Sequence, residues 1–141
     1  MTHPNTQLLR TVYEAFGHGD PGPLLGALTE DISWHDSTLG PLAGGYTGQD
    51  QVLGFFAKMT DVYGGTLRLE LAGILADQDR GVVLTQETGT VGDASLSWTG
   101  VHLWDFRDGR LAQFTAYADA DYQRFWSGKR RAAAATTPQP R

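Results

Sequence analysis

Apolar residues recur along this chain with two periods, one that suits helices and one that suits strands. Leu8, Leu9, Val12, Tyr13 and Phe16 fall at i, i+1, i+4, i+5 and i+8, one face of a first helix. Asn5 and Thr6 are suited to cap it, and Gly17-His18-Gly19 stops it. Asp20 before Pro21 reads as a second cap with proline in the first turn, and Leu24, Leu25 and Leu28 give a short second helix. Ile32-Ser33-Trp34-His35-Asp36 alternates as a strand. Residues 37–48 are glycine-rich, contain Pro41 and read as a loop. Helical spacing returns between Gln49 and Tyr63 through Val52, Phe55, Phe56, Met59 and Val62, and Gly64-Gly65 ends it.

Beyond Thr66 the pattern is that of strands. Leu67, Leu69 and Leu71 alternate with Arg68 and Glu70, and Asp77-Gln78-Asp79-Arg80 is a polar turn. Strands follow over 81–91, 94–107 and 110–118, joined by Gly92-Asp93 and Asp108-Gly109, both two-residue hairpin signals. A short closing helix is expected over 119–126. The predicted order is ααβαββββ plus that short C-terminal helix. Segregated helices beside an antiparallel sheet make an α+β fold. Residues 1–127 form one domain in this reading, and 128–141 a flexible tail without apolar periodicity.

Composition narrows the function classes. The 141 residues suit a single domain able to bury a core, with 40% apolar and 19% charged residues. Without cysteine there are no disulfides, thiolate metal sites or cysteine nucleophiles. The formal net charge of −5 argues against nucleic acid, the one basic cluster being Lys129-Arg130-Arg131 beside the tail. No run approaches the ~18–20 apolar residues of a membrane span. The N-terminus lacks a secretory signal pattern, so the expected location is cytoplasmic. The histidines His3, His18, His35 and His102 show no i, i+4 zinc spacing, and no metal is expected. No glycine-rich phosphate loop follows a strand, and no cofactor is expected.

Several local motifs, in order, resemble the NTF2-like superfamily, in particular its SnoaL-like and ketosteroid-isomerase-like branch. They are Gly19-Asp20, Thr29 to Asp36, Tyr46-Thr47-Gly48-Gln49-Asp50-Gln51-Val52 with Phe55-Phe56, and Phe106 to Leu111. The resemblance spans about residues 5–127. It implies a cone-shaped barrel, a curved antiparallel sheet packed with three helices around a pocket, and often a dimer through the outer sheet face. It does not specify a reaction, because one fold hosts many functions.

Within such a barrel, strand parity nominates the site. Ile32, Trp34 and Asp36 share one face of the first strand, so Asp36 can meet a pocket wall, where apolar surroundings make a carboxylate a better base. By the resemblance, Asp36 falls where ketosteroid-isomerase-like proteins carry their general base. It can equally start a turn through the backbone of Ser37 and Thr38. In the long strand Leu96, Trp98, Gly100, His102, Trp104 and Phe106 share a face, an aromatic wall with one polar handle. The resemblance places His102 near an oxyanion donor, a role an imidazole can fill. A half-buried histidine bonded to a neighbour's backbone is the alternative. The tyrosine donor of the isomerases falls at Val12, with Tyr13 about a hundred degrees round the helix. Trp34, Phe55, Trp98, Trp104 and Phe114 are the expected pocket walls. Asp119 and Asp121 are secondary candidates for the base, or caps of the closing helix. The expected activity is cofactor-independent isomerisation, cyclisation or dehydration beside a carbonyl of a small apolar or polycyclic molecule. The alternative is a non-catalytic binding or dimerisation module. The mildly apolar opposite face of the long strand, with Val101 and Leu103, suggests a homodimer.

Overall fold

Both hairpin dipeptides turn the chain where the pattern placed them. Gly92 takes φ 59°, and Asp108 and Gly109 take φ 52° and 75°, the left-handed conformations that tight hairpins need. The computed structural model describes residues 2–136, with side chains as far as residue 129. Its elements are α1 (Pro4–Gly17), α2 (Gly22–Ala27), β1 (Leu28–Asp36), β2 (Gly44–Thr47), α3 (Gln49–Tyr63), β3 (Arg68–Ala76), β4 (Arg80–Val91), β5 (Ala94–Arg107), β6 (Arg110–Ala118) and α4 (Ala120–Thr136). One curved six-stranded sheet runs in the order β2-β1-β6-β5-β4-β3. It packs with the helices as an α+β fold. Among the described residues no helix is long and apolar enough to cross a membrane.

Five details differ from the sequence reading. Helix α1 starts at Pro4, whose missing N–H suits a first turn, and His3 caps it by accepting from the Asn5 N–H at 3.0 Å. Asn5 is therefore inside the helix, and its side-chain amide donates to the Asp77 and Gln78 carbonyls at 3.1 and 3.2 Å. Leu28 opens β1 instead of closing α2, with its carbonyl held by Arg110 at 2.6 Å and by Gln49 at 3.2 Å. The expected loop at 37–48 contains β2, pinned by Tyr46 lying edge-on to Phe55 and donating to the Leu42 carbonyl at 2.9 Å.

The sheet is also mixed rather than wholly antiparallel. Strand β1 runs parallel to β6, matching Trp34 to Phe114 and Asp36 to Ala116. The other four pairings are antiparallel. Strands so distant in sequence have no turn between them to signal their direction. Last, α4 extends to Thr136 and takes in residues assigned to the tail; Ala132 to Ala135 are the strongest helix formers. Residues 137–141 of that tail lie outside the described residues.

Alternation divides the sheet into two faces. On the concave one, β5 buries Leu96, Trp98, Gly100, His102, Trp104 and Phe106 in strict sequence. Leu9, Leu28, Ile32, Val83 and Leu111 are fully buried and fill one end of the core. The other end stays hollow. Asn5→Ala should cost about 1–3 kcal/mol, since it removes two hydrogen bonds that tie α1 to the β3–β4 turn. Urea denaturation of the variant checks this; an unchanged midpoint would remove Asn5 from any structural role.

Candidate functional site

Two rows of side chains cross the concave face, one pleat apart. The first is aromatic: Trp34 on β1, Phe114 on β6 and Trp104 on β5 are register neighbours. Trp34 and Phe114 stack with ring centroids 3.9 Å apart, and Trp104 meets Phe114 at 4.6 Å. The second row is Asp36, Ala116 and His102. Two strand spacings put the Asp36 and His102 backbones roughly 10 Å apart. Ala116 between them is too small to fill the gap. Above these rows lies a cavity of about 90 Å³, closed by Phe55, Phe56 and Met59 of α3 and by Tyr122 of α4. Asp36 and His102 both line it, as do Trp34, Phe55, Trp98, Trp104 and Phe114.

Two further polar residues meet there. Glu87 of β4 is 8% exposed, and its carboxylate lies 3.8 Å from Nε2 of His102. Thr85 donates its hydroxyl to Glu87 Oε2 at 2.8 Å. Gly100 makes room for this arrangement, since a methyl there would come within 2.5 Å of that oxygen and 2.4 Å of Thr85 Oγ1. Tyr13 of α1 reaches in from the other side. Its oxygen is 2.6 Å from Nδ1 of His102 and accepts from the Trp104 indole at 2.9 Å. The phenol and Nδ1 share one hydrogen bond; in the tautomer where the phenol donates it, the proton of the neutral imidazole sits on Nε2, facing Glu87.

Burial decides the charges. Desolvation pushes the Glu87 carboxyl up to about 7, against the opposing pull of Thr85 and Trp98. It pushes His102 down to about 4, so the imidazole is neutral at physiological pH. Near pH 6 the pair is an uncharged acid beside an uncharged base, not a salt bridge. Asp36 is also raised by desolvation, but its Oδ1 accepts from the Thr38 N–H at 2.9 Å and the Thr38 hydroxyl at 2.5 Å, which offset part of that. This is the turn that the sequence offered as the alternative role for Asp36, made through Thr38. Burial raises the Tyr13 and Tyr63 phenols, and both stay protonated.

The secondary candidates lie elsewhere. Asp119 caps α4, accepting from the Tyr122 N–H at 3.1 Å and from the Thr99 N–H at 2.8 Å. Asp121 is exposed and pairs with Arg124. Neither lines the cavity, because the first turn of α4 aims them at its own backbone and at solvent. Among the described residues no three His, Cys, Asp or Glu side chains converge as a metal site would require. Glu87 and Tyr13 are the residues that pattern reading passed over. Glu87 shares the buried parity of Val83 and Thr85, which was the available signal. Tyr13 and Val12 are both buried, because adjacent positions straddle the inward direction of α1 and a phenol is long enough to reach the strand.

Residues 9–114 match the model of the SnoaL-like domain. The chain belongs to that family. Known structures agree on its NTF2-like fold. Bal32a from a soil-derived mobile gene cassette is 25% identical, with a TM-score of 0.79 over 87% of this chain and 96% of that one. An NTF2-like protein of unknown function from Burkholderia pseudomallei is 27% identical, with a TM-score of 0.77 over 92% and 97%. TerC, co-crystallized with polyporic acid, is 25% identical, with a TM-score of 0.72 over 82% and 92%. No curated protein sequence matches the chain. SnoaL-like domains generally bind small molecules, which agrees with a hollow rather than a filled concave face.

The charge state of Glu87 should be visible in stability. Its carboxyl is raised from 4.5 to about 7, so the folded chain holds a proton that the unfolded chain has released across that window. Stability from this group is therefore intact below about pH 4.5 and lost as pH rises through 7. Glu87→Gln should be more stable than the parent by about 2–3 kcal/mol at pH 8, the difference fading by pH 5. Thermal melts of both proteins across that range test it, and a gap independent of pH would contradict the buried ionisation.

Proposed function

We propose that this SnoaL-like domain is a cofactor-independent enzyme that moves a proton beside a carbonyl group of a small apolar or polycyclic molecule. The observation that carries this reading is the polar row across the cavity, with Asp36 at one end and His102 beside Glu87 at the other. Asp36 takes a proton from the carbon next to the carbonyl. The electron pair left behind moves toward the carbonyl oxygen. That oxygen is met by Nε2–H of His102 and by the Glu87 acid, whose 3.8 Å separation suits two donors converging on one atom. Redelivery of the proton elsewhere isomerises the substrate; loss of water dehydrates it; attack on a second carbonyl closes a ring. The aromatic walls exclude water and hold the ring system. TerC's co-crystallization with polyporic acid supports a cavity of this family accepting an organic molecule.

A plain probe tests the chemistry. In D₂O, the protein should speed deuterium uptake into the methyl group of 2-acetylnaphthalene, followed by NMR. Asp36→Asn keeps the Thr38 turn but removes the base, and should slow exchange by ~10²–10⁴. His102→Gln keeps a donor and should lose less than the ~10²–10³ of a missing oxyanion contact. Exchange no faster with the parent than with Asp36→Asn would end the role of Asp36 as base. The Thr38 turn at Asp36 favours the second reading, a binding module of the same fold, and that result would leave it standing.

The outer sheet face supports a homodimer. Leu75, Val82 and Leu103 are register neighbours there, as are Leu84, Val101 and Tyr117 one row on. Leu75 is 77% exposed. Paired copies would cover this stripe. Sedimentation should give roughly twice the 15.3 kDa of one chain, and Leu103→Glu should halve that mass; a parent that sediments as a single chain at micromolar concentration contradicts the dimer.

A further inference from the structure

The charged side chains among the described residues lining the cavity are all of one sign. Asp36 faces it from β1 and Glu87 from β4, and no lysine or arginine is among its described lining residues. The other titratable groups among the described lining residues are His102 from β5, Tyr13 from α1, Tyr63 from α3, Tyr117 from β6 and Tyr122 from α4. None supplies a positive charge. His102 is held neutral, with Nδ1 bonded to Tyr13, and burial keeps the Tyr13, Tyr63 and Tyr122 phenols protonated. The dipole of α4 offers no help, since Asp119 occupies its N-terminus. The same walls do suit a flat, uncharged ring system: Trp34, Phe114 and Trp104 present one aromatic row. Trp34 also holds a buried indole N–H without a partner among the described residues, a donor for an acceptor oxygen.

We propose that the cavity selects its ligand by charge, admitting uncharged flat carbonyl compounds and excluding their carboxylate counterparts, with Glu87 as the residue that sets the selection. The carbonyl in this proposal rests on the proton-transfer reading above; the exclusion of anions rests on the cavity alone. With Glu87 ionised at pH 8, a carboxylate ligand would add a third negative charge to a cavity whose walls are mostly apolar. Repulsion over several ångströms at intermediate dielectric is worth about 10–100-fold in affinity. Glu87 as the free acid is compatible with a neighbouring anion, and Glu87 ionised is not.

Equilibrium dialysis with 2-acetylnaphthalene and 2-naphthoate, nearly equal in shape and different in charge, tests the proposal. At pH 8 the parent protein should bind the ketone at least tenfold more tightly than the naphthoate. At pH 5.5, where naphthoate is still an anion but Glu87 holds its proton, the gap should narrow. In Glu87→Gln at pH 8, naphthoate should gain at least fivefold while the ketone changes less. The pH series on the unaltered protein stands even if the variant folds poorly. Equal binding of the two at pH 8, a gap that does not respond to pH, or no binding of the ketone overturns the selection. Dialysis reads affinity without turnover, so a protein that exchanges no protons can still pass this test, and an active one can fail it.

Discussion

A polar side chain inside an apolar barrel must find a partner there, and in this protein the hydroxyl of Tyr13 meets that requirement for three side chains at once, its own, that of His102 and that of Trp104. It ties α1 to β5 across the hollow end of the core. It leaves Trp104 a place to donate. When the phenol is the donor in its bond to His102, the imidazole's own proton lies on Nε2 and the cavity gains an N–H donor. Without Tyr13, Nδ1 of the imidazole would lose the partner that ties it to α1.

The hollow depends on small residues as much as on large ones. Ala116 separates Asp36 from His102, and Gly100 sits under the Glu87 carboxylate. Side chains of ordinary size at either position would fill the space in which a ligand could lie. The large aromatics do the opposite work one row below, closing the core so that water reaches the polar row only from the mouth. The domain therefore carries a cost built into its site. Glu87 is held where ionisation is disfavoured, and that strain is what keeps a carboxylic acid available near neutral pH.

Asp36 shows how one side chain can satisfy two demands. Its Oδ1 anchors the turn into the 37–48 segment through Thr38, which places the carboxylate at the cavity rim and steadies it. Such a bond lowers basicity, while burial raises it. Glu87 receives only the Thr85 hydroxyl and an indole, and burial dominates there. Two carboxylates facing one cavity are thus set apart by their hydrogen bonds.

Strand parity by itself determined the faces of β1, β5 and β6, and with them the candidates Trp34, Asp36, Trp98, His102, Trp104 and Phe114. A period of two is local and survives any packing. The hairpins at Gly92-Asp93 and Asp108-Gly109 were equally legible, because positive φ is a property of those residues. Tertiary structure alone decided what spans distant segments. The parallel pairing of β1 with β6 has no connecting turn to betray it. Tyr46 becomes a strand residue only because β1 and Phe55 lie beside it. Glu87 looked like any charged residue among threonines and glutamines until β5 brought Gly100 and His102 against it. Tyr13 could be assigned to the cavity only once α1 had a place and a rotation over the sheet, since burial and partners belong to the packed chain and not to any stretch of sequence.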